Sequence, residues 1–126
     1  MKIKNSMIIQ FYENLKNSFN DNSKYHPAKI AFIIQKNITF LKKLVQEIYI
    51  AKDNIVKHYG VENKDGTFFI PENVCKQAQQ ELDDLLEVEQ KITILKLKFK
   101  DIEDLEFTSN QMEALMFMID EEDQAE

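Results

Sequence analysis

Residues 28–66 read AKIAFIIQKNITFLKKLVQEIYIAKDNIVKHYGVENKDG, and they contain the strongest structural signal of the chain. Its apolar residues recur at alternating intervals of four and three positions, and Lys52 is the one interruption of the series. The series runs through Ile34, Ile38, Leu41, Val45, Ile48, Ile55 and Tyr59. This spacing predicts one long helix with a seam of about 40 Å against a partner helix. A second stripe widens the buried face of its first half: Ile30, Ile33, Phe40 and Leu44.

Both ends of this helix carry local signals. Pro27 suits the first position of a helix, because its φ angle is already helical and its missing N–H is not needed there. The chain has two glycines, Gly60 and Gly66, and we predict that the first ends the helix. Val61 and Phe68–Ile70 flank the turn at 63–66, whose Asp65-Gly66 pair is typical of a β-hairpin.

Weaker patterns predict the remaining elements. Residues 1–5 alternate as a short strand, and Asn5 or Ser6 can cap a first helix that ends near a polar break at 20–23. Pro71 starts a third helix, whose buried face holds Val74 or Cys75, Ala78, Leu82 and Leu85. From Val88 to Phe99 the apolar residues alternate and then change phase, which predicts a strand with a bulge or sharp twist between Ile94 and Leu95.

The last helix opens at Thr108, which forms a capping box with Gln111. We expect this helix to bury Met112, Leu115, Met116 and Ile119. The fold class is therefore α+β and predominantly α-helical, with a long central helix, three shorter helices and a small antiparallel sheet or hairpin. The hairpin and the 88–99 strand would share that sheet, with or without the N-terminal strand. Residues 1–119 form one globular domain, and 120–126 a flexible acidic tail.

Charge is divided between two poles. Residues 1–100 contain 16 lysines and 12 acids, a net charge of +4, whereas residues 101–126 contain 10 acids and no base, a net charge of −10. All basic residues are lysines, so the chain lacks the planar guanidinium fork that binds phosphate or guanine in two places. We therefore expect no direct binding to nucleic acid.

Several classes of protein are excluded by composition. The apolar runs, such as Ile30 to Ile34, are far shorter than the roughly 20 residues of a membrane span. Glu13 and its polar neighbours interrupt what a signal peptide would need to keep apolar. The lone Cys75 cannot form an internal disulfide, which fits a reducing compartment, and we expect it to be a buried apolar side chain.

No motif for catalysis or metal binding emerges. With glycines at 60 and 66 alone, a glycine-rich phosphate loop cannot form. His26 and His58 lie at opposite ends of the long helix, about 48 Å apart, and cannot share a metal through it. The acidic pairs Asp83-Asp84 and Glu103-Asp104 lack nearby His or Cys ligands, and residues 101–106 lack EF-hand spacing. We expect a non-enzymatic protein without a cofactor or a metal.

Five groups of residues are similar to segments of known proteins. These are Met1-Lys2-Ile3-Lys4-Asn5, Pro27-Ala28-Lys29-Ile30, Lys57-His58-Tyr59-Gly60 with Asp65-Gly66, Glu81-Leu82-Asp83-Asp84-Leu85-Leu86, and Ala114-Leu115-Met116-Phe117-Met118-Ile119. The chain resembles small uncharacterised phage and prophage proteins of low-GC bacteria. The resemblance covers most of the chain and implies a phage-encoded protein from a virion-assembly gene block. It implies no active site.

Two functions remain open. The first is a protein–protein interaction protein, an assembly factor or minor structural component, which forms a homo-oligomer through an exposed seam at Ile48, Lys52, Ile55 and Tyr59. The alternative is an inhibitor of a host defence effector, CRISPR-like or a nuclease, which acts through acids Asp120, Glu121, Glu122 and Asp123. Its partner would be a host effector in place of a phage structural protein. Both functions place the protein in the bacterial cytoplasm, and the first also in the virion, without membrane contact.

The methionine-rich segment before the tail has two interpretations as well. Met116, Phe117 and Met118 either close the core as part of a terminal helix or form a pliable apolar surface beside the acidic segment. In the second case they would contribute to partner binding together with the acids that follow.

Overall fold

The computed structural model describes residues 2–20 and 25–120. Within them the chain forms five α-helices and four short strands. In chain order these are β1 (Lys2–Lys4), α1 (Asn5–Ser18), α2 (Ala28–Tyr59), β2 (Val61–Glu62), β3 (Phe68–Phe69), α3 (Glu72–Glu87), β4 (Glu89–Lys91), α4 (Phe99–Ile102) and α5 (Ser109–Leu115). A 3-10 turn, Met116–Met118, follows α5. The protein is thus α+β and predominantly helical, organised around one long helix, as the sequence predicts.

The core lies along α1 and the first half of α2. Helix α1 contributes Ile8, Tyr12 and Leu15, which recur at helical spacing and are buried. They pack against the buried face of α2, which runs from Ile30 to Ile48. The C-terminal part of the chain closes the cluster with Ile92, Leu97, Ile102, Ala114, Leu115, Met118 and Ile119. Helix α3 packs on the second half of α2, and its half-buried Leu85 also contacts the core cluster.

The strands form two separate two-stranded sheets, so the prediction of one shared sheet is wrong. Strand β1 pairs antiparallel with β4, with Ile3 opposite Gln90. Strands β2 and β3 form the predicted hairpin, in which Val61 faces Phe69. Gly66 closes its turn at a φ of 88°, a left-handed conformation that favours glycine. Because the hairpin packs on α2, at the far end of the molecule from β1, the two sheets cannot merge.

Asn5 links the start of α1 to the end of α3. Its side chain is buried, donates to the Leu85 carbonyl oxygen at 2.8 Å and accepts from Gln90 Nε2 at 2.7 Å. Its backbone N–H donates to the Val88 carbonyl oxygen at 2.9 Å. A buried amide with both of its groups satisfied holds a fixed geometry, so Asn5 anchors the end of α3 to the core.

The predicted strand from Val88 to Phe99 is shorter than expected. Regular pairing covers Glu89–Lys91 alone, and the chain then enters α4 at Phe99. Asn37 of α2 explains the interruption, because its side chain binds both the N–H and the carbonyl oxygen of Leu95, each at 2.9 Å. A backbone unit held by a helix side chain is not free to join a strand ladder, so the predicted bulge at 94–95 is a helix contact instead.

The C-terminal elements follow the sequence in part. Thr108 and Gln111 form the predicted capping box, and Gln111 also donates to the Ser18 carbonyl oxygen of α1 at 3.1 Å. The helix ends earlier than predicted, at Leu115. Leu97 then pairs with Ile119 in an isolated parallel bridge. Met116 was expected to be buried but lies on the outside of the 3-10 turn, 62% exposed.

In the part of the chain that the structure describes, no helix combines the length and apolar character needed to cross a membrane.

Candidate protein-binding surface

The apolar face of α2 remains uncovered in its second half. No residue of α2 after Ile48 is buried, although the apolar spacing continues to Tyr59. We call residues 49–59, the β2–β3 hairpin and α3 the arm. The rest of the described molecule we call the core half. The arm therefore contains helical apolar faces without a core of its own.

Helix α3 covers the arm incompletely. Ala78 is its single buried residue among sixteen, whereas Leu82, Leu85 and Leu86 are half-buried. A hydrogen bond from the Tyr59 hydroxyl to the Glu81 carboxylate holds the far end of α2 against α3, and it raises the pKa of Tyr59 above its ordinary value. Both of these attachments lie in the second half of α3, at Glu81 through Tyr59 and at Leu85 through Asn5, and the leucine face there stays half-buried.

An apolar groove runs between α2 and α3. It consists of two adjoining hollows of about 230 and 80 Å³, and Lys52 and Leu82 line both. The larger hollow is completed by Ile9, Ile48, Tyr49, Leu85 and Leu86. The smaller one is completed by Ile55, Val56, Ile70, Cys75, Ala78 and Gln79. An open, mostly aliphatic groove of this kind is suited to contact with another polypeptide.

The arm carries several exposed apolar residues, of which Tyr49 lines the groove. Tyr49 and Ile50 on α2 and Phe69 on the hairpin are among the large apolar side chains that remain exposed, with Ile50 at 62%. Val61 on the neighbouring strand is exposed as well. Single exposed apolar residues are ordinary on protein surfaces, but several on one small arm beside an apolar groove indicate an interaction surface.

The groove carries a distinct charge pattern. Lys52 is exposed and makes no ion pair within residues 2–20 and 25–120. Helix α3 contains five acids and one lysine, a net charge of −4. Asp83 and Asp84 accept hydrogen bonds from Gln79 at 2.8 Å and from Gln80 at 2.9 Å. A lone cation therefore lies at the middle of an apolar groove, beside an acidic helix.

Cys75 differs from its prediction. It is exposed and not buried, because α3 presents its open face there to solvent and not to the core. Its side chain lines the smaller hollow of the groove. The single cysteine of the chain is therefore placed where the occupancy of the groove can be probed directly.

The four residues of the predicted seam, Ile48, Lys52, Ile55 and Tyr59, differ in their exposure. Ile48 is buried in the core, so its prediction as an exposed surface residue is wrong: α1 and the end of α3 cover α2 at that level. Lys52 is exposed and Ile55 half-buried, and both line the groove. Tyr59 is half-buried and bound to Glu81. The α3 side of the groove was not predicted, because the helical spacing of Leu82 and Leu85 indicates a buried face.

The methionine-rich segment belongs mainly to the core. Met118 is fully buried, so its prediction as a surface residue is wrong, because the 3-10 turn directs it inward. Phe117 is half-buried and stacks on Phe11, with ring centroids 4.2 Å apart. Met116 is exposed, and Asp120 donates its backbone N–H to the Leu97 carbonyl oxygen at 2.8 Å. Glu121, Glu122 and Asp123 lie outside the described residues.

A second concavity, of about 530 Å³, lies between α1 and α5. Every residue that lines it is polar: Gln10, Asn14, Asn17, Ser18, Thr108, Asn110, Gln111 and Glu113. It is larger than the groove, but its lining surface is mostly polar, and Gln111 and Thr108 are already engaged in the cap of α5. Its side chains can stay hydrated at no cost, so the groove remains the better candidate surface.

The candidate chemical residues are in structural positions. His26 packs between Phe19 and Phe107, and His58 contacts Tyr59. Asp101 pairs with Lys29 at 3.1 Å. Among the residues described, no cluster of three or more His, Cys, Asp or Glu side chains could hold a metal ion.

Comparison with known proteins identifies no relative. No family model matches the chain, and neither a curated protein nor a solved structure matches it.

Proposed function

We propose that this chain is a non-enzymatic protein–protein interaction protein that binds another polypeptide in the groove between α2 and α3. Its role would be that of a phage-encoded assembly factor or minor structural component, in keeping with the resemblance of its sequence motifs to phage and prophage proteins.

One observation carries the proposal: α3 buries a single residue, Ala78, although its leucines form a continuous face. A helix of globular proteins gains most of its stability from covering its apolar face. Here that face is half-covered and borders a groove with Lys52 at its centre. A polypeptide that fills the groove would complete the burial which the chain leaves unfinished.

Cys75 gives the experiment that tests this function. A membrane-permeant maleimide is applied to cells that produce the protein from its own gene. The modified fraction of Cys75 is measured by mass spectrometry over time and compared with that of the dilute purified protein. A partner at ten times its Kd should slow the labelling about tenfold in cells.

The control is a Cys75→Ser, Glu103→Cys variant, which moves the thiol to an exposed position of the core half. Its labelling should be equally fast in cells and in dilute solution. If Cys75 labels equally fast in both, and equally fast in the purified chain at about 500 µM, no protein occupies the groove, and the proposed function is wrong.

A further inference from the structure

We infer that the groove is filled by a second copy of this chain, in a two-fold dimer that lays α2 of each copy over α3 of the other. The inference rests on the proposed function, since it names the partner of the same groove.

The side chains that line the groove indicate which kind of polypeptide would bind there. Aliphatic walls call for an apolar stripe. Lys52, which has no ion-pair partner among the residues that the structure describes, calls for an acid near the middle of that stripe. Helix α3 is such an element. Its leucines are half-buried. Gln79 and Leu86 line the groove. Asp83 follows Gln79 by four residues and precedes Leu86 by three, so it lies on the same side of α3.

Charge selects between the two face-to-face arrangements with two-fold symmetry. A two-fold axis perpendicular to the helices, in the plane of the interface, would place α3 of one copy on α3 of the other. Both of these helices carry a net charge of −4. An axis parallel to the helices places α3 on α2, where residues 49–59 carry two lysines and one acid. The second arrangement avoids the repulsion and gives a four-helix bundle in which neighbouring helices are antiparallel.

The same axis brings Lys52 to Asp83. Lys52 and Leu82 line both hollows, so they lie at the same level along the groove. A two-fold rotation about an axis parallel to the helices does not shift residues along the helix direction. It places α2 of one copy opposite α3 of the other. Lys52 of each copy then faces the turn of α3 around Leu82 in the other copy, where Asp83 is the acid on the groove side. The dimer contains this pair twice.

The size of the face sets the expected affinity. Helix α3 is about 24 Å long at 16 residues, and two packed helices present a face about 20 Å wide. Two such faces bury on the order of 1,000 Å², the lower limit for a specific interface. We therefore expect a Kd on the order of 10–100 µM.

Sedimentation velocity from about 1 to 500 µM, which brackets the expected Kd, tests the dimer with charge-reversed variants. Lys52→Asp and Asp83→Lys alone should each raise the dimer Kd at least about tenfold, because symmetry doubles every change. The double variant should recover the Kd of the unmodified chain. An equimolar mixture of the two single variants should form heterodimers, since each pair in the mixed dimer is then attractive.

Lys36→Asp and Glu103→Lys serve as controls, because they change the net charge equally at exposed sites of the core half. They should leave the Kd unchanged. An unmodified chain that stays monomeric throughout the range would overturn the inference, and so would single variants that dimerise as tightly as the unmodified chain. If Cys75 is nevertheless protected in cells, the proposed function stands with a different partner. If it labels freely there, both fail.

Discussion

The two halves of α2 carry the same apolar spacing but differ in what covers them. From Ile30 to Ile48 the helix is enclosed by α1 and by the C-terminal part of the chain, and seven of its residues are buried. From residue 49 to 59 it is covered by α3 and by the small hairpin, and none of its residues is buried. Helical periodicity shows that a face is apolar, but it does not show which polypeptide covers that face.

Because the two halves of α2 are covered differently, substitutions in them should affect different properties of the protein. In the core half, removal of apolar atoms leaves a cavity that the close-packed surroundings cannot fill. In the arm, the same atoms border an open groove, where solvent already has access. Substitutions in the two halves should therefore affect different measurements: unfolding in the first and association in the second.

The largest effect is expected at Leu41, which is fully buried in the core half. Leu41→Ala should lower the free energy of unfolding by about 2–5 kcal/mol, through lost burial and the cavity left behind. Urea denaturation followed by circular dichroism measures this change. A loss below about 0.5 kcal/mol, the range of ordinary surface substitutions, would show that the core half is not packed as described.

A smaller loss is expected at Asn37, whose side chain is 1% exposed and makes two hydrogen bonds to Leu95. Asn37→Leu should cost about 1–3 kcal/mol, because it leaves the Leu95 N–H and carbonyl oxygen without partners. The matched control is Asn54→Leu, at an exposed position in the second half of α2. Equal midpoints in urea for the two variants would contradict the role given to Asn37.

Leu82 sharpens the comparison, because its spacing alone would assign it to the core like Leu41. It is half-buried, so Leu82→Ala should lower the stability of the dilute monomer by about 1 kcal/mol. The same variant should weaken association in sedimentation experiments. A loss as large as that of Leu41→Ala, at a concentration where the protein is monomeric, would place α3 in the core and remove the groove from the account.

The smallest effect is expected from removal of residues 121–126. If the groove is the binding surface, this truncation should leave both the unfolding midpoint and the dimer Kd unchanged. A function as an inhibitor of a host defence effector predicts the opposite, a loss of salt-sensitive binding to a basic host protein. Pull-down of such a protein by the complete chain but not by the truncated one would favour that alternative.

Local signals predicted much of the fold. Pro27, Gly60, the Asp65-Gly66 turn and the Thr108–Gln111 capping box each act within a few residues, so their physical effect can be deduced from neighbouring sequence. The structure confirms a helix that starts after Pro27 and ends before Gly60, and a hairpin closed at Gly66. It also confirms the reciprocal hydrogen bonds of the cap.

Contacts between distant segments were not predictable in the same way. The bonds from Asn37 to Leu95 connect residues 58 positions apart, and nothing near either residue announces them. The burial of Ile48 and the exposure of Cys75 have the same origin, since both depend on where α3 ends along α2. The groove was therefore half-predicted, with Lys52 and Ile55 identified on α2 and its α3 wall missed.

Hydrogen–deuterium exchange of the purified chain compares the protection of the two halves of α2 in one sample. At low concentration, amides of residues 30–48 should exchange slowly, through global unfolding, while those of residues 49–59 and of α3 exchange faster through local opening. Raising the concentration should slow exchange in the arm alone. Equal protection of both halves at the lowest concentration, unchanged on concentrating the protein, would contradict the account.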